Sequence, residues 1–356
     1  MSSIKLKHSG GNAVSIAAPA SNPTADRTVT LPSTDTDGVI ATKDSSNSLQ
    51  SVSGVSGSAF SNRNLFINGD MYWWERGTSG TTSGNYVCDR FWGAGTGITF
   101  ARNDDAPDGF RFSSKLTYNS NDLSIGQPIE LIGTGVQGRL VAGQKCTLSF
   151  YAKVDSGTEV VNSVINFRNG KFSSTNSISF TAIGSANNTI TTSWARYTTT
   201  FTIPTCNSNN IMAATEVAGI GKTMYLTGFQ LEIGDTATDF EHLPIGYTLG
   251  LCKRYFQKAG SRHYGMVEGT TQFRMQIPLE PPMRVAPTCS VRSGTIFNTR
   301  YQGDTNITNP TLNAITSRKR DIWTGVTTTN RVAGTPIYGR SQQGDNGDFI
   351  ACNAEL

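Results

Sequence analysis

Apolar and polar positions alternate with a period of two along most of this chain. TMYLTGFQLEI, residues 223–233, reads as a strand with Met224, Leu226 and Gly228 on one face and Tyr225, Thr227 and Phe229 on the other. ITFARN, FRFSSKLTY, IGQPIELI, KCTLSFYAKV, SVINFRN, SISFTAI and ARYTTTFTIP carry the same short pattern. About eight to ten such strands over roughly 190 residues, joined by long variable connections, predict an antiparallel jelly-roll sandwich. Helix is expected in one place, YTLGLCKRYFQ, where Leu249, Cys252 and Phe256 share a face for packing between domains and Lys253 turns outward.

Punctuation divides the chain into four parts. Residues 1–60 hold thin strand-like segments, SIKLKHS, AVSIAAP, RTVTLP and GVIAT, separated by Gly10-Gly11, Asn22-Pro23 and Asp37-Gly38. They carry too few large apolar residues for a core of their own. Residues 1–42 are therefore expected to pair with other chains as an attachment segment, and SSNSLQSVSGVSGSAFS to act as a linker. Residues 61–244 form the predicted sandwich, 245–258 the linking helix, and 259–356 a small distal β domain. Within that last part the prolines from Pro278 to Pro287 exclude a central strand. The fold class expected is all-β: attachment strands, central jelly-roll sandwich, short linking helix and C-terminal small β domain.

Composition fits this reading. The 37 glycines and abundant Thr, Ser and Asn suit tight turns. No run of eighteen apolar residues occurs, and MSSIKLKHSGG lacks the apolar core of a signal peptide, so a soluble protein made in a cytoplasm and not inserted in a membrane is expected. Six cysteines are scattered without a CxxC, and buried free thiols are the default reading. Charge is uneven: residues 245–356 hold 13 of the 30 Lys and Arg but 7 of the 26 Asp and Glu, which suits an anionic partner.

Most catalytic chemistry is excluded at this level. EVAGIGKT, 216–223, imitates a phosphate-binding loop, but Glu216 stands where a glycine is needed and a strand follows instead of a helix. The three histidines form no HExxH, and no GxSxG is present. Glu130, Glu232, Asp239 and Glu241 could supply the carboxylate pair of a polysaccharide depolymerase, but the turn repeat of a β-helical enzyme is missing, and no enzymatic activity is expected. The densest charge cluster, Arg318-Lys319-Arg320 with Trp323, reads first as a solvated strand face, then as a glycan contact, and least well as a nucleic-acid contact. The rings of NLFINGDMYWWERGTS and YVCDRFW read as core before they read as sugar-stacking platforms.

NLFINGDMYWWERGTS, YVCDRFW, GQKCTLSFYAKV, SWARYTTTFTIP and YLTGFQLEIGDTATDFEHLPIGYTLGLCKRYFQK, in this order, resemble a module found near the ends of bacteriophage tail fibres and other virion appendages. The opening SSIKLKHSGGNAVSIAAPASNPTADRTVTLPSTDTDGVI is similar to the leader of structural proteins from phages of marine bacteria and cyanobacteria. The two resemblances span about two thirds of the chain. They imply a virion protein assembled in a bacterial cytoplasm, a homotrimer, held to tail or neck proteins through residues 1–42 and adhering to host surface polysaccharide. A head fibre, collar or capsid-decorating role is the alternative. The resemblance of NLFINGD to the opening of sugar-binding jelly rolls nominates Asp70 and Glu232 as ligands of a structural calcium, against the simpler reading that Asp70 shapes its turn and Glu232 pairs with an arginine. No other cofactor is expected.

Overall fold

In the computed structural model the described residues are 3–7, 13–17, 63–81, 85–94, 97–117, 123–130, 143–168, 181–203, 210–217, 222–259, 263–268, 272–291, 295–299, 305–308, 312–317, 321–327, 336–341 and 350–355. The chain divides into two compact units, Met1–Ala59 and Phe60–Leu356. In the first, β1 (Ser3–Lys7) and β2 (Ala13–Ala17) form an antiparallel hairpin that sets Ile4 opposite Ile16 and Leu6 opposite Val14. RTVTLP and GVIAT lie outside the described residues.

The second unit opens with a β-sandwich. Its strands are β3 (Ser79–Thr81), β4 (Asn85–Cys88), β5 (Phe91–Ala94), β6 (Thr99–Asn103), β7 (Ser113–Thr117), β8 (Leu123–Glu130), β9 (Lys145–Val154), β10 (Glu159–Arg168), β11 (Thr181–Ile190), β12 (Ala195–Thr202), β13 (Asn210–Val217) and β14 (Thr223–Ile233). One sheet runs β11-β10-β13-β8-β5-β4 and the other β12-β9-β14-β7-β6-β3, all neighbours antiparallel. The inward-facing residues of both sheets build one core: Phe91, Ile125, Ile129 and Val161 from the first, and Phe100, Leu116, Leu148, Phe150, Met224, Leu226 and Leu231 from the second. This is the all-β jelly-roll arrangement that the alternation predicts.

Phe229 sits at the centre of that core, its ring 5.1 Å from Phe91, 5.5 Å from Phe150 and 6.4 Å from Phe66. Strict alternation from Met224 would turn it outward. The register of β14 against β9 slips between Thr227 and Gln230, and Gly228 takes φ +62° there. The bulge inserts one extra residue and reverses the phase, so Phe229 and Leu231 face in and Gln230 and Glu232 face out. A Cβ on Gly228 would lie 2.7 Å from Tyr151 and 2.8 Å from Phe110, so only glycine fits without displacing a ring.

A helix and two further sheets follow. Helix α1 covers Ile245–Lys253. Then come β15 (Phe256–Ala259), β16 (His263–Glu268), β17 (Gln272–Pro278), β18 (Thr288–Val291), β19 (Thr295–Thr299), β20 (Thr305–Thr308), β21 (Leu312–Ser317), β22 (Asp321–Thr327), β23 (Pro336–Ser341) and β24 (Ile350–Asn353). They form a three-stranded sheet, β15-β24-β18, and a seven-stranded one, β20-β19-β23-β16-β17-β22-β21. The proline stretch after Pro278 carries no strand before Thr288, as its missing amide donors require.

The predicted helix is corrected at its end. It stops at Lys253, because the Tyr255 amide bonds back to the Cys252 carbonyl and the chain then extends for Phe256 to pair with Asn353. Leu249, Cys252 and Phe256 therefore share no continuous helical face. Thr248 and Cys252, four residues apart, are the buried helix positions; Leu249 is half-buried and Phe256 belongs to β15. No helix among the described residues is long and apolar enough to cross a membrane.

Candidate functional site: the outer face of the second sheet

The outward face of the β12-β9-β14-β7 sheet is half dry and half open. At one end Thr147 and Ser149 of β9 stand opposite Glu232 and Gln230 of β14. All four are buried under the connector that follows β14. Glu232 accepts the Thr238 amide at 2.9 Å, the Thr238 hydroxyl at 2.6 Å and the Gln230 amide at 2.9 Å, with Arg63 at 4.0 Å. Gln230 accepts the Glu241 amide at 2.8 Å, and Glu241 accepts the Asn64 amide at 2.8 Å. Asn64 then stitches across the bulge, donating to the Phe229 carbonyl and accepting from the Leu231 and Phe66 amides.

Past the bulge the face is open. Lys153 of β9 lies opposite Tyr225 of β14, and Tyr225 lies opposite Lys115 of β7. The ring of Tyr225 is thus flanked on both neighbouring strands by a lysine, at 5.0 Å for Lys153 Nζ and 5.9 Å for Lys115 Nζ. Trp194, just before β12, sets its ring 6.4 Å from Tyr225 in an edge-on arrangement at 68° and donates its indole N–H to Asp105 at 3.0 Å. Asp105 also takes the Lys153 ammonium at 2.5 Å, and these two bonds hold its carboxyl below the usual range. Asp105 fixes the indole and the ammonium at once, so the Trp194 ring and the charge are held before any ligand arrives.

Further along, Tyr151 packs 5.2 Å from Phe110, which touches Phe240 at 4.8 Å and His242 at 5.2 Å. Phe112 lies 5.6 Å from Tyr72, with the Arg102 guanidinium 4.4 Å above its ring. These side chains are half-buried or exposed. A strip of partly exposed rings with fixed cations is suited to stacking on flat sugar faces and meeting an acidic substituent.

The ring-rich opening motifs are split by this arrangement. Phe66, Trp74, Phe91 and Trp92 are buried, as the core reading expects, whereas Tyr72 and Trp73 are half-buried. Trp194 and Tyr225 carried no functional reading in the sequence. Alternation alone puts Tyr225 opposite Met224 and Leu226, but nothing local marks Trp194 as its neighbour.

Asp70 and Glu232 belong to separate networks. The Asp70 carbonyl is held by the Thr227 hydroxyl, five residues along β14 from Glu232, and burial raises the Asp70 carboxyl against the backbone hydrogen bonds it accepts from Tyr72 and its own amide. Among the described residues no group of three or more His, Cys, Asp and Glu side chains gathers to hold a metal. Trp323 lies on β22 opposite Gln276 and Thr316, and Arg318, Lys319 and Arg320 lie outside the described residues.

Cys252 and Phe256 meet the sandwich at a charged junction. Arg90, 1 % exposed, donates to Glu355 and to the Pro128 carbonyl and lies 3.5 Å from the Tyr255 ring. Arg76 bonds Glu355 at 2.9 Å and lies over Phe256 at 3.9 Å and Tyr86 at 4.3 Å. Asp89 beside them gives one oxygen to the Glu75 amide at 2.5 Å, and its other oxygen has no hydrogen-bond partner among the described residues.

No protein-family model matches the chain, and no curated protein matches it. Among solved structures, a CBM4 module matches at 19% identity and TM-score 0.33, over 48% of this chain and 100% of its own. The CBM22-1 xylan-binding domain of Paenibacillus barcinonensis Xyn10C matches at 12% identity and TM-score 0.30, over 45% of this chain and 94% of its own. The enzymatically active domain of tailspike protein 4 of bacteriophage CBA120 matches at 16% identity and TM-score 0.33, over 48% of this chain and 22% of its own. At such identities and scores the likeness fixes neither a ligand nor an activity for this chain.

Proposed function

We propose that the protein is an adhesion component of a phage virion, a tail fibre or related appendage, whose sandwich binds host surface polysaccharide through the open half of its second sheet. The observation that carries this reading is the Trp194–Tyr225 ring pair with Lys153 and Lys115 beside it. Rings of this kind stack on sugars, and with Lys153 paired to Asp105 the Lys115 ammonium leaves a net positive charge that favours a chain bearing uronate or phosphate. The resemblance of the sequence motifs to virion appendages supplies the setting. Residues 1–42 serve as the attachment to tail or neck proteins, and assembly as a homotrimer multiplies a weak single site into useful avidity. Chemistry on the glycan is not part of this reading.

The test is binding of the purified full chain to bacterial surface polysaccharides, neutral and uronate-bearing, with Trp194→Ala and Tyr225→Ala as variants. Each variant is expected to weaken binding about tenfold, the equivalent of about 1.4 kcal/mol, without changing the melting temperature. Equal binding by wild type and the double variant would place the site elsewhere. Labelling the chain on intact particles separates tail-tip from capsid or neck placement.

A further inference from the structure

We infer that Cys289 and Cys352 form a site of covalent modification, a cross-strand disulfide made by exchange with a small-molecule disulfide. The two residues stand directly opposite each other on β18 and β24. Opposed residues of an antiparallel pair have Cα atoms about 4.5 to 5.5 Å apart, inside the span a disulfide bridges. Their sulfur atoms are 2.8 Å apart, and both thiols are free. Access is divided between them: Cys289 is partly exposed, while Cys352 is fully buried. Nothing in sequence marks the pair, since 63 positions separate its members. Of the cysteines in the described residues, Cys88, Cys146 and Cys252 are all buried, which leaves Cys289 as the point of entry.

The exchange balances in two displacements. The Cys289 thiolate attacks one sulfur of the small disulfide, forming a mixed disulfide and expelling one small thiolate. The Cys352 sulfur, as it loses its proton, then attacks the Cys289 sulfur, breaks the mixed bond and releases the second small thiol. Two protein thiols and one small disulfide become one protein disulfide and two small thiols, and both protein protons end on the released thiols. Strand β24 is the middle strand of its sheet and leads through Ala354, whose amide bonds the Tyr255 carbonyl, to Glu355 in the Arg76–Arg90 junction. The bond would therefore tie the closing strand covalently to β18.

The experiment treats the folded full chain with excess oxidised glutathione, blocks remaining thiols and maps the peptides. The expected product is a Cys289–Cys352 linked peptide with the loss of two hydrogens and no retained glutathione. It should melt about 5 °C higher than the reduced protein, and a dithiol reductant should reverse the shift. Cys352→Ser, which lacks the resolving sulfur, should keep glutathione on Cys289, and Cys289→Ser should form no link. Wild-type protein that retains glutathione at Cys289, stays fully reduced, or links Cys289 to another cysteine would overturn the inference. The wild-type map decides the matter even if the variants fold poorly.

Discussion

Arg90 of the sandwich and Glu355, just past the last strand, form a charge pair buried at the junction with the three-stranded sheet. The Arg90 side chain is 1% exposed and that of Glu355 6%. Both charges have been taken out of water; among the described residues Arg90 also reaches the Pro128 carbonyl and the face of Tyr255, and its Nε has no hydrogen-bond partner. Removing one partner would leave the other stranded, which costs far more than the pair itself contributes.

Glu355→Ala is therefore expected to destabilise the second unit by about 3 kcal/mol. Arg76 loses the same partner, which adds to the effect. Denaturant unfolding of wild type and variant checks this, and an unchanged midpoint would show that the junction contributes nothing to holding the unit together.

Asp89 gives the junction a pH dependence of defined sign. Burial pushes its carboxyl from 3.8 up to about 6, with Glu75 and Glu355 adding and Arg76 and the Glu75 amide opposing. Between those values the folded protein holds a proton that the unfolded chain has lost, so stability falls as pH rises from about 4 to about 6 and stays reduced above. Asp89→Asn can still accept the Glu75 amide but does not titrate. It should gain on wild type by up to about 3 kcal/mol at pH 7 and by little at pH 4. A gap of constant size across unfolding curves at those two pH values would contradict the assignment.

Glycine positions should divide sharply. A Cβ at Gly69 would lie 2.1 Å from the Phe229 carbonyl oxygen, a backbone atom held by Asn64, so Gly69→Ala should cost more than about 3 kcal/mol or prevent folding. Gly250, inside α1 with nothing within 4 Å of its Cβ position, should tolerate alanine and gain up to about 1 kcal/mol. Melting temperatures of the two variants make the comparison.

Phe229 and Tyr225 test the phase reversal directly. Phe229→Ala should cost about 3 to 5 kcal/mol as a core deletion. Tyr225→Ala, on the open face, should cost less than about 1 kcal/mol and act on polysaccharide binding instead. Similar losses of stability for both would mean that the two rings lie on one face.

The alternation was enough for the sandwich because burial on one face of a strand leaves a period of two in the residues themselves. It could not locate the bulge, since Gly228 reads equally well as an ordinary turn-former and its need for glycine comes from the positive φ together with the crowding of Phe110 and Tyr151. The helix begins at Ile245, and its end depends on the Phe256–Asn353 pairing, a contact with a strand nearly a hundred residues later. The same holds for the candidate site: Trp194, Asp105 and Tyr225 come from three separated segments, and no local pattern announces their meeting. The stitching by Asn64 and by Asn68, which donates to the Trp73 and Asp89 carbonyls, was equally hidden, because an asparagine beside a turn has many local uses.

The slip at Gly228 lets a single strand answer to two selective demands. Before the bulge, the outward Tyr225 of β14 is only partly buried and can vary with whatever surface the protein meets. After it, the outward residues are hydrogen-bonded into the connector and can vary only together with Asn64, Thr238 and Glu241. Ligand preference could thus drift along one half of the strand while the closure of the sandwich stays fixed along the other.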